Sequence, residues 1–401
     1  MLRAAHVWLS PARVLSPGEI VLDSVGRVAA VRPARRGPVA PWLLAPGLVD
    51  AHVHLQLPAL PGAPRAFVPW LQRVIDSRRV EDPHAVAAKS TAAALLELQR
   101  SGCTAVGEID SLGTSPALLG AAGMAGRVYQ EVLGFDLDAE DAAELVRARR
   151  RRASKDLSSG LSPHAPYSCS MALVRAARRS ASHIAVHVAE AEEEVRLLRA
   201  GTGPLRALLQ RLGRWRPRAR PPGCSPVAWL DACGALDRRT LLIHLQEAGA
   251  DDIELVARRR APVVVCPPTI DYFGRQPPDV PAWRRAGIVV ALGTDSRASS
   301  RGPLSMVRAM ASARRMWPSL PPACVLDLAT RAGGLAIGRP SLGRIVVGGR
   351  ADLCAFDLNS LDRAGAASHS SAEVVDAATR GRLPVVGTWL RGQRVFVCEQ
   401  S

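Results

Sequence analysis

Lysine is nearly missing from this 401-residue sequence. It occurs only at positions 89 and 155, although Lys and Arg together number 52. The formal net charge of +16 is therefore almost all arginine and is scattered along the chain. This is an arginine-biased composition, not the clustered footprint of a nucleic-acid or membrane-surface protein. The densest run, 147–155 (RARRRRASK), follows the helical stretch DAEDAAELVRARR, where arginines face water or complement a helix C-terminus. No aromatic residue interleaves with it to stack on bases.

Aromatics make up only 4% of residues against 48% hydrophobic, so the core has to be mostly aliphatic. No C-x-x-C pair occurs among the eight cysteines, and several lie inside apolar runs. They suit reduced core residues of a cytoplasmic protein. No long apolar run opens the chain, because MLRAAHVWLSPARVLSPG is broken by Ser10, Pro11 and Pro17. Neither a signal peptide nor a membrane span is expected. There is also no internal repeat and no long low-complexity linker. The proline-rich 216–226 (RPRARPPGCSP) is expected to form a loop or lid.

Eight short apolar runs stand between residues 44 and 296: 44–50, 103–110, 126–133, 158–163, 183–189, 240–246, 261–267 and 287–294. Helical stretches separate many of them, at 84–100, 171–180, 190–200, 251–260 and 281–286. Strand and helix alternating eight times predict an α/β fold, a (β/α)8 TIM barrel. Both ends read instead as short strands with turns, at 6–33, 343–357 and 384–398, and predict a small β-sandwich built from both termini. The expected division is 1–43 plus 340–401 for the sandwich and 44–339 for the barrel.

Chemistry in such a barrel sits at the C-terminal ends of the strands. His52 and His54 end the first run, in VDAHVHL, and residues i and i+2 of a strand point to one side. His187 and Glu190 end the fifth run, His244 the sixth and Asp295 the eighth. Three imidazoles and one carboxylate suit Zn²⁺ or Fe²⁺ with a position left open for water, whose pKa the metal would lower. On spacing alone His164, after the fourth run, fits either a site residue or a structural one. His6, His84, His183 and His369 fit structural roles.

The motifs APGLVDAHVHL, SPHAPYSCS, HVAEAEEEV, LLIHL, VVVCP and ALGTDS resemble, in order and spacing, those of the metal-dependent amidohydrolase superfamily, in its branch of mononuclear deaminases and chlorohydrolases. Further stretches, LQLPALPGAPRAFVPWLQRVIDSRR among them, are most similar to aminodeoxyfutalosine deaminase-type proteins of the menaquinone route. The resemblance implies His52, His54, His187 and Asp295 as metal ligands, Glu190 as a proton-shuttling acid, His244 as the group that orients the attacking water, and His164 as a substrate contact. It implies one divalent metal, Zn²⁺ first and Fe²⁺ second. A binuclear relative would carry a modified lysine at the end of strand four, whereas Lys155 precedes that strand and the strand ends in SPHAPY.

Trp70, Arg78, Glu108 and Glu131 are further candidates for substrate binding; Trp70 equally suits core packing and Arg78 a solvated face. The expected activity is hydrolytic deamination of a purine-like nucleoside or related aminated heterocycle, with neither nucleic acid nor membrane as partner and a homodimer left open. Cleavage of a cyclic or N-acyl amide, or of a chloro-substituent, is the alternative on the same site. An inactive, basic, nucleic-acid-binding barrel is the non-enzyme alternative. The chain departs from the resemblance at Gln56, where an acidic residue is common, at Pro268-Thr269-Ile270 after strand seven, and at Ser300. These departures are expected at the substrate-facing rim.

Overall fold

A computed structural model describes residues 1–35, 37–62, 66–151, 154–215, 221–361 and 369–398. Its larger sheet is a ring of parallel strands: β1 (Leu48–His54), β2 (Cys103–Asp110), β3 (Ala125–Val132), β4 (Leu157–Pro163), β5 (Ile184–Val188), β6 (Thr240–His244), β7 (Val263–Val265) and β8 (Val290–Leu292). The two-residue β9 (Asp295–Ser296) pairs with β1, Asp295 opposite Val53 and Ser296 opposite His54. The expected barrel is present, with helices between its strands.

The apolar runs alternate as a closed sheet requires. Val49, Ala51, Ala105, Ala185, Leu241, Ile243 and Ala291 belong to an inner cluster. Leu48, Val53, Ile184, Val186, Leu242 and Leu292 belong to the shell packed under the helices. Many inner positions are alanine, which explains how so few aromatics fill a barrel of this size.

Strands from both ends build a second, eight-stranded sheet: Leu2–Ser10, Arg13–Leu15, Gly18–Leu22, Val28–Pro33, Ala40–Pro46, Leu353–Asp357, Val385–Leu390 and Gln393–Val397. Leu2–Ser10 and Ala40–Pro46 run parallel; the other pairs are antiparallel. Leu44, Leu353, Ala355 and Trp389 enclose a core of their own, while Leu43, Ala45, Cys354 and Phe356, one residue away on the opposite face, pack on the barrel.

The run expected at 44–50 as one strand is two. Ala40–Pro46 pairs with Leu353–Asp357 in the terminal sheet, and β1 starts only at Leu48. Gly47 makes the crossing, where a Cβ would lie 2.1 Å from Thr104 Oγ1. The seam is also ionic: Asp156, just before β4, receives Arg350 at 2.5 Å and Arg391 from the terminal sheet. Burial alone would raise the Asp156 carboxyl, but the two guanidinium groups outweigh it and hold it below the ordinary range.

Helices beyond those expected include Pro204–Arg211, Pro226–Ala232, Met306–Met316, Pro322–Leu328, Arg331–Ala336 and Ser371–Thr379. Among the described residues none is long and apolar enough to cross a membrane. The arginine run at 147–155 lies on and after the helix Ala139–Arg149, with Arg147 and Arg150 exposed; positions 152 and 153 lie outside the described residues. Most of the 216–226 loop, residues 216–220, also lies outside them.

Candidate active site

Four imidazoles and one carboxylate converge at the C-terminal ends of β1, β5 and β6 and at the start of β9. Donor atoms of His52, His54 and His187 lie within 4.8 Å of one another, as do those of His52, His244 and Asp295. His54 Nε2 and His187 Nε2 are 3.1 Å apart. Asp295 Oδ1 lies 3.5 Å from His52 Nε2 and 3.9 Å from His54 Nε2.

The backbone reaches this arrangement by breaking its own alternation. Val49 and Ala51 face inward, so strict alternation would turn Val53 inward too; the pairing of β1 with β2 shifts register between Asp50 and Val53, and His52 and His54 face the site instead. His244 follows the inward Ile243 and is rotated into the site by φ 76°. Ala189, Leu245 and Asp295 also have positive φ, so four of the six such non-glycine residues among the described residues flank this site. Strain of this kind persists only where surrounding bonds over-determine it. Asp50 supplies some of them, accepting Thr294 N–H at 3.0 Å and the Thr294 hydroxyl.

The electrostatics favour bound positive charge. Burial, aided by His52, lowers the His54 imidazole to about 3. Burial lowers His244 to about 3 and takes His187 well below its ordinary value, so these rings are neutral and offer lone pairs. His187 Nδ1 lies 2.9 Å from the His164 carbonyl, which can only accept; Nδ1 therefore carries the proton and Nε2 the lone pair. Burial would raise Asp295, but its contact with His52 acts first among the influences that hold it below the ordinary carboxylate range, and Thr269 donates to its other oxygen at 2.9 Å. Both ring nitrogens of His52 and Nδ1 of His54 are buried without a hydrogen-bond partner. Orphaned nitrogens facing a carboxylate and two further imidazoles fit a divalent cation of the zinc or iron type.

A cavity of about 830 Å³ opens from this cluster and is lined by His54, His164, His187, Glu190, His244 and Asp295 at its inner end. Glu190 Oε1 lies 3.8 Å from His244 Nε2, and burial pushes the Glu190 carboxyl up to about 8. Glu194 accepts the Glu190 backbone N–H at 2.9 Å, and Arg275 donates to the Glu190 carbonyl at 2.7 Å while stacking 4.4 Å from the Phe273 ring.

Trp70, Arg78 and Glu131 also line the cavity. Trp70 is 7% exposed and donates its indole N–H to the Ala298 carbonyl at 2.8 Å, so it is a fixed wall. Arg78 sits 3.5 Å from Glu131, which accepts the Ser111 hydroxyl at 2.6 Å. Burial would raise Glu131; the Arg78 charge, together with His164, His54 and the Ser111 hydrogen bond, outweighs it and the carboxyl is held low. His164 meets Ser168 at 2.7 Å.

Glu108 is not among the cavity-lining residues. It is fully buried and accepts Leu55 N–H at 3.0 Å and the Ser115 hydroxyl at 2.6 Å, tying β1 to the loop after β2. The departures expected at the rim also lie elsewhere. Gln56 is buried in that same tie, Thr269 braces Asp295, and Ser300 lines a separate surface depression. Gln56 and Ser300 lie off the cavity, whereas Thr269 reaches its inner end through Asp295. Thr269 and Arg275, within CPPTIDYFGR, carry no periodic signal that marks them in sequence.

The amidohydrolase family model matches residues 43–395. The chain belongs to the amidohydrolase family. This amidohydrolase is 32% identical over 316 residues to aminodeoxyfutalosine deaminase of Deinococcus radiodurans, covering 74% of this chain and 73% of that one. The fold matches that of a zinc-bound adenosine deaminase from Xanthomonas campestris with a TM-score of 0.81 at 24% identity, over 100% of this chain and 94% of that one. It also matches Helicobacter pylori aminofutalosine deaminase, in complex with methylthio-coformycin, with a TM-score of 0.81 at 20% identity, over 98% and 99%.

Proposed function

We propose that this amidohydrolase hydrolytically deaminates a purine-like nucleoside or related aminated heterocycle of the aminodeoxyfutalosine kind, acting in the cytoplasm. The observation that carries the reading is the convergence of His52, His54, His187 and Asp295 on one point at the head of a cavity that also presents Glu190 and His244. The first four would hold a single divalent cation, Zn²⁺ by preference. Bound there, a cation makes water nucleophilic near neutral pH. The catalytic unit is the barrel, with its first boundary at Gly47 in place of residue 43.

The chain's own groups manage the protons. Water adds through oxygen to the carbon bearing the amino group while Glu190, kept protonated by burial, delivers its proton to the neighbouring ring nitrogen. Asp295 takes a proton from the water and His244, neutral, orients it by a hydrogen bond. The C–N bond then breaks, the amine leaves as ammonia with the proton that Asp295 accepted, and the oxo-heterocycle remains. Return of the second water proton to Glu190 restores the starting state. Arg78 and Glu131 present a paired charge to the rest of the substrate, with His164 beside them.

The test is ammonia release from aminodeoxyfutalosine, adenosine-type, guanine and triazine compounds with Zn²⁺ and with Fe²⁺. Stoichiometric ammonia from a nucleoside supports the reading. Chloride release, amide cleavage without ammonia, or no hydrolysis with either metal overturns it.

A further inference from the structure

Gln56 lies two residues past His54 yet outside the cavity lining, 6% exposed, and its amide is used at both ends. Its Nε2 donates to Asp110 Oδ1, to Thr114 Oγ1 at 2.8 Å and to Ser115 Oγ at 3.1 Å. Its Oε1 accepts the backbone N–H groups of Ser111 and Leu112, each at 3.2 Å. Asp110 in turn accepts Gly113 N–H and Gln130 Nε2, both at 2.8 Å. One face of the pocket around Gln56 is therefore all acceptor and the other all donor, a polarity that an amide matches.

The tie joins the two halves of the site. On one side it anchors the end of β1, where Leu55 N–H is held by Glu108. On the other it fixes Ser111, whose hydroxyl holds Glu131 in the cavity and receives Arg78 at 3.2 Å. We propose, resting on the metal-dependent reading above, that Gln56 is a positioning residue: through Asp110 and the 111–115 loop it sets the aim of His54 and the placement of Glu131 together.

Gln56→Glu keeps an acceptor for Ser111 and Leu112 but sets a carboxylate oxygen against Asp110 Oδ1 where a donor is needed. Gln56→Met keeps the length of the side chain and removes both the donor and the acceptor. We expect each variant to weaken Zn²⁺ binding, read by chelator competition, about tenfold or more and to raise KM about tenfold. A Tm series by circular dichroism accompanies it. Lower Tm in the variants with unchanged Zn²⁺ affinity and KM makes Gln56 merely structural and overturns the proposal. So does Gln56→Met with Zn²⁺ affinity and KM both within about twofold of the unsubstituted protein. If the unsubstituted protein releases no ammonia from any compound, the deaminase reading has failed, and Zn²⁺ affinity across the same three proteins still decides the role of Gln56.

Discussion

His54 and His187 face each other through their Nε2 atoms at 3.1 Å, with rings inclined by 16° and centroids 5.2 Å apart. The His187 proton is committed to the His164 carbonyl, so its Nε2 lone pair is turned towards His54. Two buried, neutral rings in this arrangement are poised for a shared electrophile.

Removing either ring should release the metal. His54→Ala and His187→Ala are expected to fall from one equivalent of metal to below about 0.2 by elemental analysis while far-ultraviolet circular dichroism keeps the barrel signature. Chelation of the unsubstituted protein should lower its Tm, and Zn²⁺ at about a hundred times its Kd should return about 2.7 kcal/mol of stability. Metal retained at full stoichiometry in either variant would remove that histidine from the ligand set.

Glu190 is the expected acid. Glu190→Gln keeps the volume and the neighbouring hydrogen bonds but has no proton to shuttle, so kcat should drop about 10²- to 10⁴-fold with metal content unchanged. A drop of less than threefold, about 0.6 kcal/mol, would assign the proton transfer to another group.

Arg78 and Glu131 line the cavity and are the expected substrate contacts. Arg78→Ala leaves a buried carboxylate without its partner, and KM is expected to rise about tenfold with kcat within about twofold, the pattern of lost uniform binding. A fall in kcat at constant KM would place the pair in the chemical step.

The seam between barrel and terminal sheet should be acid-sensitive. Asp156 has a lower pKa folded than unfolded, so its ion pairs with Arg350 and Arg391 contribute stability in full above the unfolded carboxylate value near pH 4, and that contribution is lost as pH falls from there through the lower, folded value. With the Asp156 side chain 28% exposed, Asp156→Asn should cost on the order of 1 kcal/mol at pH 7 and measurably less near pH 3. Denaturant titrations of both proteins at the two pH values measure the difference. An equal loss at pH 3 would assign the effect to packing.

The barrel and the two-ended sheet were legible from alternating apolar runs because burial of one face of each strand writes its period into the residues, as at Ala105, Ala185 and Leu241. The crossing at Gly47 was not, since the apolar run LLAPGLV continues through it on both sides and the pairing partners divide it. Glu108, on the second strand, was expected to bind substrate, and Gln56 to lie at the substrate-facing rim. Their side chains turn instead into the tie between β1 and the loop after β2, a placement that depends on hydrogen bonds to residues some 55 positions away.

By itself the sequence determined which residues can do chemistry here: three strand-end histidines, a fourth at His244, Glu190 and Asp295, in an order that only a parallel barrel brings to one mouth. Tertiary structure decided which way each of them points. The register shift after Asp50 and the left-handed backbone at His244 and Asp295 override simple alternation. Conformations of that kind are unfavourable in an isolated strand and hold only when partners such as Thr294 and Thr269 over-determine them, so no local pattern records them.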